Sequence, residues 1–167
     1  MSLIIRQMRM EDIEPIYHAF AEHQINKPMD YLRTCWEENQ TGVRITWVAV
    51  EDDQPVGAVH LLVNSHYVGF SEEEIPEIND FNVIPPFRKR GIGHALMDAA
   101  EQFAIPRYGA VGIGVGLFGS YGSAQRLYAK RGYIPDGKGI AYRGESVEQG
   151  STVKVDHDLA LYLTKSG

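Results

Sequence analysis

Apolar positions along the chain switch between two periods, and the switches mark out its elements. Residues 3–8, opening Leu3-Ile4-Ile5, predict a strand. Apolar side chains then recur at Ile13, Ile16, Tyr17 and Phe20, one face of a helix, with Glu11, Asp12 and Glu14 in its first turn. A second helix over 30–39 carries Tyr31, Leu32, Cys35 and Trp36 on one stripe. Residues 45–50 and 56–63 are β-rich runs on either side of the polar turn 51–55, which predicts a hairpin. A further strand over 77–83 is stopped by Pro85 and Pro86. Helical spacing returns over 91–103, a buried strand over 110–115, and a helix over 123–131 that ends at Gly132. Two short strands, near 140–142 and over 159–163, close the chain. The order β-α-α-β-β-β-α-β-α-β-β predicts an α/β (α+β) fold, a mixed sheet with helices on its faces. No repeat, low-complexity tract or linker interrupts it, so a single domain is expected over residues 1–167.

Composition narrows the function. Hydrophobic residues make up 44%, enough for a core, and no apolar run approaches the roughly 20 residues that span a bilayer. With 16 Lys and Arg against 22 Asp and Glu, the net charge of -6 argues against nucleic acid as the main partner. It favours an amine-bearing, cationic one. Membrane partners are not expected. The lone cysteine, Cys35, makes no internal disulfide, and the N-terminus lacks a signal-peptide pattern, so the cytoplasm is the expected compartment.

Against that acidic background, Arg88-Lys89-Arg90-Gly91-Ile92-Gly93-His94 is anomalous. Cations at a helix start oppose the dipole by up to about 1 kcal/mol unless an anion lies between them. Helix N-termini offer unpaired N–H groups to phosphates, and Gly91 and Gly93 remove side chains that would keep an anion away. Arg88 and Arg90 add charge-assisted hydrogen bonds. A competing glycine motif, Gly114-Val115-Gly116-Leu117-Phe118-Gly119, matches the dinucleotide-binding spacing. Too few elements follow it, and Asp136 lies in turn chemistry rather than at a strand end, so these glycines read as a thinned strand.

The stretch Val83-Ile84-Pro85-Pro86-Phe87-Arg88-Lys89-Arg90-Gly91-Ile92-Gly93 resembles the acetyl-CoA-binding segment of the GCN5-related N-acetyltransferase (GNAT) family. That segment runs Arg or Gln, two residues, Gly, one residue, then Gly or Ala, between a strand and a helix; Arg88, Gly91 and Gly93 fill it. Downstream, Ala124, Leu127, Tyr128, Gly132 and Tyr133 resemble the same family's last-helix segment. The resemblance implies a GNAT fold, a mostly antiparallel sheet splayed at the cofactor site. It also implies acetyl transfer from acetyl-CoA to a primary amine by direct attack in a ternary complex, with no metal. A non-catalytic acyl-CoA-binding module on the same fold is the alternative. The pyrophosphate would lie on Arg88, Lys89, Arg90, Gly91, Ile92, Gly93 and His94, and the pantetheine arm on the backbone of Phe81, Asn82 and Val83. Where many members carry Asn, this chain has Tyr121, with Ser123 a substitute contact. Homodimers are common in the family; the sequence is silent on oligomeric state.

Tyr128 occupies the position the family uses to protonate the departing thiolate. Glu77 and Asp80 are the candidate bases, and deprotonation in solution stays open; Glu77 matches the position some relatives use. Period-2 alternation puts the two on opposite faces unless a bulge intervenes. The acidic run 71–74 would steer a cationic acceptor. His60 and His66 read as exposed polar positions, Asp156-His157-Asp158 as a polar strand entry rather than a metal cluster, and Cys35, Tyr31, Trp36 and Trp47 as packing.

Overall fold

The computed structural model describes residues 2–167, in which the chain forms two compact units, residues 2–63 with 78–103 and residues 64–77 with 104–167. Among the described residues no helix is long and apolar enough to cross a membrane.

In the first unit β1 (Leu3–Gln7), β2 (Arg44–Glu51), β3 (Gln54–Leu62) and, from its second residue on, β4 (Glu77–Val83) lie in that order. β1–β2 and β2–β3 pair antiparallel, with Ile5 opposite Ala49 and Trp47 opposite Val59. Nearly every residue of β2 and β3 is buried, which is why their sequences read as continuous apolar runs rather than alternation. α1 (Ile13–Ala21) follows a 3-10 turn and buries Ile13, Ile16 and Phe20, the predicted face. α2 (Met29–Thr41) buries Leu32 and Cys35 and ends at Gly42, whose φ of 82° is the usual helix stop. α4 (Ile92–Tyr108) buries Ile92, Leu96, Met97 and Ala100, while Trp47 meets Phe103 edge to face at 5.6 Å. The helix outruns its predicted end and passes through Pro106 in its last turn. Proline removes only one ladder bond there, and Gly109 N–H still closes on the Ile105 carbonyl at 2.8 Å.

In the second unit β5 (Ala110–Gly116), β8 (Leu159–Ser166), β6 (Ile134–Tyr142) and β7 (Glu145–Ser146) lie in that order, each pair antiparallel. α3 (Val68–Ser71) is a single turn that no periodicity announces, and α5 (Gly122–Lys130) matches the predicted last helix. Residues 134–139, expected as a turn, belong to β6. The register shifts between Pro135 and Ile140, and Gly137 and Gly139 are left-handed, so the turn chemistry serves a bulge. The glycines of β5 also acquire a different role from a thinned edge. A Cβ on Gly112 would lie 2.2 Å from the Phe70 ring, on Gly114 2.7 Å from Tyr162, and on Gly116 2.3 Å from Tyr121. The space is filled by the chain's own aromatic rings, with Tyr67 stacked on Tyr162 at 3.7 Å.

Candidate active site

The cationic stretch is a tight turn between β4 and α4. β4 ends at Val83, a 3-10 turn spans Pro85–Phe87, and Lys89 and Gly91 both take left-handed φ, 61° and 84°. The first bond of the α4 ladder runs from Ala95 N–H to the Gly91 carbonyl at 3.0 Å, so the Ile92 and Gly93 amides have no intrahelical acceptor. A Cβ on Gly91 would meet nothing within 4 Å; glycine is demanded there by the backbone. A Cβ on Gly93 would press to 3.1 Å from Phe81, so this glycine lets a β4 ring lie against the helix start.

The two arginines differ. Arg88 turns back, its Nε donating to the Val83 carbonyl at 2.8 Å, and so ties the turn to the strand end. Arg90 donates to both Glu51 carboxylate oxygens at 3.1 Å and lies over the Phe87 ring at 5.0 Å. Its charge is thus largely answered within the chain, against the expectation that it faces an anion. Lys89 and His94 are exposed, and Phe81, Asn82 and Val83 are half-buried. An anionic nucleotide fits this turn: amides without helical acceptors, an exposed lysine and a bare Cα lie together.

Asp80 is the second focus. Its φ of 49° breaks the alternation of β4, the irregularity needed to free it from the period-2 face. The carboxylate pairs with the Lys27 ammonium and accepts from Tyr31 Oη at 2.7 Å and Asn82 Nδ2 at 3.0 Å. His60 Nε2 lies 3.6 Å away. Burial alone would raise the Asp80 pKa, but the His60, Lys27 and Tyr31 contacts outweigh it and hold the carboxyl far below its ordinary range. Burial pushes the Tyr31 phenol well above 10, helped by the Asp80 charge, and pushes the imidazole of His60 down. His60 is 3% exposed, which corrects its reading as a solvent-facing residue, and Tyr31 does more than pack. Lys27 and Asp80 are 53 residues apart, so no local pattern could pair them. The available signal was a histidine inside a strand buried on both faces, where a polar side chain needs partners.

The remaining predicted residues lie in the second unit. Glu77 is buried at the start of β4 and accepts from Ser65 Oγ at 2.5 Å. Tyr128 is buried on α5, and its hydroxyl makes no hydrogen bond among the described residues; burial pushes the phenol up to about 12. Ser123 is exposed in the first turn of α5, and Tyr121 shares a 2.6 Å hydrogen bond with His157 Nδ1. Asp156 and Asp158 are engaged by Tyr142 and Arg143, and among the described residues no cluster has a metal-binding arrangement. His66 is exposed, and Glu73 in the acidic run pairs with Lys138 at 2.9 Å.

The sequence pattern of the acetyltransferase (GNAT) family matches residues 10–133, from the start of the α1 segment to the tyrosine that follows α5. The chain belongs to that family. Its fold is shared with an N-acetyltransferase from Staphylococcus aureus (TM-score 0.73, 17% identity, 99% of each chain covered). It is shared also with a PaiA N-acetyltransferase from Thermoplasma acidophilum in complex with coenzyme A (0.71, 15%, 100% of each). A ribosomal-protein-alanine N-acetyltransferase from Brucella melitensis gives 0.71 at 15% identity, over 98% of this chain and 99% of that one. At these identities the likeness is one of fold. No curated protein sequence matches the chain.

Proposed function

We propose that this acetyltransferase moves an acetyl group from acetyl-CoA to a primary amine by direct attack in a ternary complex. The observation that supports the reading is the start of α4, where left-handed backbone at Lys89 and Gly91, amides without helical acceptors and the exposed Lys89 suit a pyrophosphate, in the stretch that resembles the family's cofactor segment. Arg88 serves mainly by fixing that turn to β4. The backbone of Phe81, Asn82 and Val83 is the reading's seat for the pantetheine arm. Bound acetyl-CoA would supply an activated thioester acyl group.

The acceptor must lose a proton before it can attack, because an alkylamine with a pKa near 10.4 is neutral only about once in 10³ molecules at pH 7. Asp80, with its carboxyl held far below the ordinary range, has little capacity to take that proton and acts instead as fixed negative charge. Glu77 is the base the reading retains. Tyr128, its phenol pushed up to about 12, stays protonated at neutral pH and can hand its proton to the thiolate as the C–S bond breaks. Net, one N–C bond forms and one C–S bond breaks; of the two protons the ammonium loses, one passes to solvent through the base before attack and the other, released as the amide forms, replaces the proton Tyr128 gives to the thiolate.

Initial rates measured over a grid of acetyl-CoA and amine concentrations test this. Intersecting double-reciprocal lines are expected for a ternary complex. Parallel lines would replace direct attack by an acyl-enzyme, and CoA binding without turnover on any amine would favour the non-catalytic binding module.

A further inference from the structure

Asp80 is more thoroughly furnished than a strand carboxylate requires, and one of its partners is itself a primary ammonium. A chain of hydrogen bonds ties its surroundings together. Asn39 Oδ1 accepts the Thr46 amide at 2.8 Å, and Asn39 Nδ2 donates to the Cys35 carbonyl at 2.7 Å and to Thr46 Oγ1 at 2.9 Å. The Thr46 hydroxyl proton is then left for His60 Nδ1, 2.7 Å away. The imidazole proton therefore lies on Nε2, on the side of Asp80. Three of the carboxylate's partners, Tyr31 on α2, His60 on β3 and Asn82 on β4, are thus supplied by regular elements.

The fourth is not. Lys27 belongs to the irregular segment 22–28 between α1 and α2, where Gln24 takes a left-handed φ of 59°. Its side chain is largely buried, and Lys27 itself lines a small void of about 10 Å³ together with an apolar wall of Met8, Ile16, Phe20, Leu32 and Ala58 and with Thr46, His60 and Asp80. A four-carbon stem with an ammonium tip, carried on a connecting segment, thus meets the Asp80 carboxylate beside an apolar wall.

We propose that Asp80, Tyr31 and His60 form a recognition site for an alkylammonium group of the acceptor, which Lys27 fills in the free protein and the acceptor fills by displacing it. The acceptor is then a diamine or polyamine. An amine held against this carboxylate stays protonated and cannot attack a thioester, so the group recognised here and the group acetylated are different amines of one molecule. The apolar wall beside Asp80 suits the methylene chain next to the ammonium, in the space the Lys27 side chain would vacate. The identity of the ligand rests on the amine-acetylation reading; the site itself does not.

Acylation footprinting of Lys27, read by mass spectrometry on the wild-type protein without acetyl-CoA, reports displacement directly. Saturating diaminobutane is expected to raise Lys27 labelling about fivefold or more, as the plugged population is depleted. In turnover, diaminobutane should be acetylated with a kcat/KM about tenfold or more above butylamine, and Asp80→Asn should erase that margin, the worth of a charged hydrogen bond. Lys27→Met keeps the stem, removes the competing ammonium and should lower the KM for diaminobutane about tenfold. A thermal melt establishes that each variant is folded. Unchanged Lys27 labelling overturns the proposal, as does equal use of butylamine and diaminobutane, and amine acetylation survives either result. Raised labelling in a protein that acetylates no amine supports the site and refutes the proposed reaction instead.

Discussion

Gly91 separates the folding role of the α4 turn from its binding role. Its φ of 84° makes any L side chain strained, while a Cβ there meets nothing within 4 Å. Gly91→Ala should therefore cost only the left-handed penalty, ~1–2 kcal/mol, which for a chain of this size lowers Tm by about 2–8 °C. Gly91→Glu carries the same backbone penalty, but its carboxylate lies at a helix N-terminus, where it gains about 0.3–1 kcal/mol. The glutamate variant should thus melt no lower than the alanine variant. CoA binding should move the other way. A carboxylate about 5 Å from one phosphate charge, at an effective dielectric near 20, is repelled by ~3 kcal/mol, roughly a hundredfold in Kd. Isothermal titration with CoA alongside differential scanning calorimetry reads both effects, and added salt should narrow the gap in Kd by screening. Equal CoA affinity for the glutamate and alanine variants would refute the anion seat, however stable the proteins.

Tyr128→Phe should lower kcat by about 10²-fold or more while leaving the CoA Kd within about twofold, since only the proton donor is lost; steady-state rates with titration of CoA check it. At Asp12, burial would raise the pKa, yet the Arg6 fork at 2.8 Å to each oxygen and the Arg9 amide at 2.7 Å lower it overall. With the folded pKa below the unfolded value of about 3.9, this stabilisation is complete above that value and is lost as pH falls from it through the lower folded pKa. The Tm advantage of wild type over Asp12→Asn should hold steady from about pH 7 to 5 and shrink below about pH 4. Gly112→Ala would set a methyl 2.2 Å from Phe70, itself fully buried, and should cost about 3 kcal/mol in urea unfolding. Gly119→Ala, with nothing within 4 Å, should stay within about 0.5 kcal/mol of wild type.

The elements that build the fold were legible because each carries its own local pattern. The apolar face of α1, the hairpin around residues 51–55 and the proline stop after β4 all rest on residues close in sequence. Gly91 and Gly93 were legible as a pair but not in their separate roles, since one answers a backbone angle and the other the ring of Phe81, on the preceding strand. The β5 glycines misled because the rings that fill their space, Phe70, Tyr121 and Tyr162, come from three separate segments. The same reason hid the Asp80 network. Lys27, Tyr31 and His60 meet one carboxylate, and Thr46 meets that histidine, only after α1, α2, β2, β3 and β4 have packed, and period 2 along β4 gave no hint of a left-handed residue at Asp80. The pairing of Arg90 with Glu51, 39 residues earlier, was likewise hidden from any local pattern.

The central claim is that acetyl passes from acetyl-CoA to an amine on this chain. Incubating the protein with acetyl-CoA labelled in the acetyl group and with diaminobutane, while following both free thiol and product mass, tests it most directly. One labelled, acetylated amine should appear for each thiol released, at a rate proportional to enzyme and lost in Gly91→Glu. Thiol release with no acetylated amine, or CoA binding with no release at all, would contradict it.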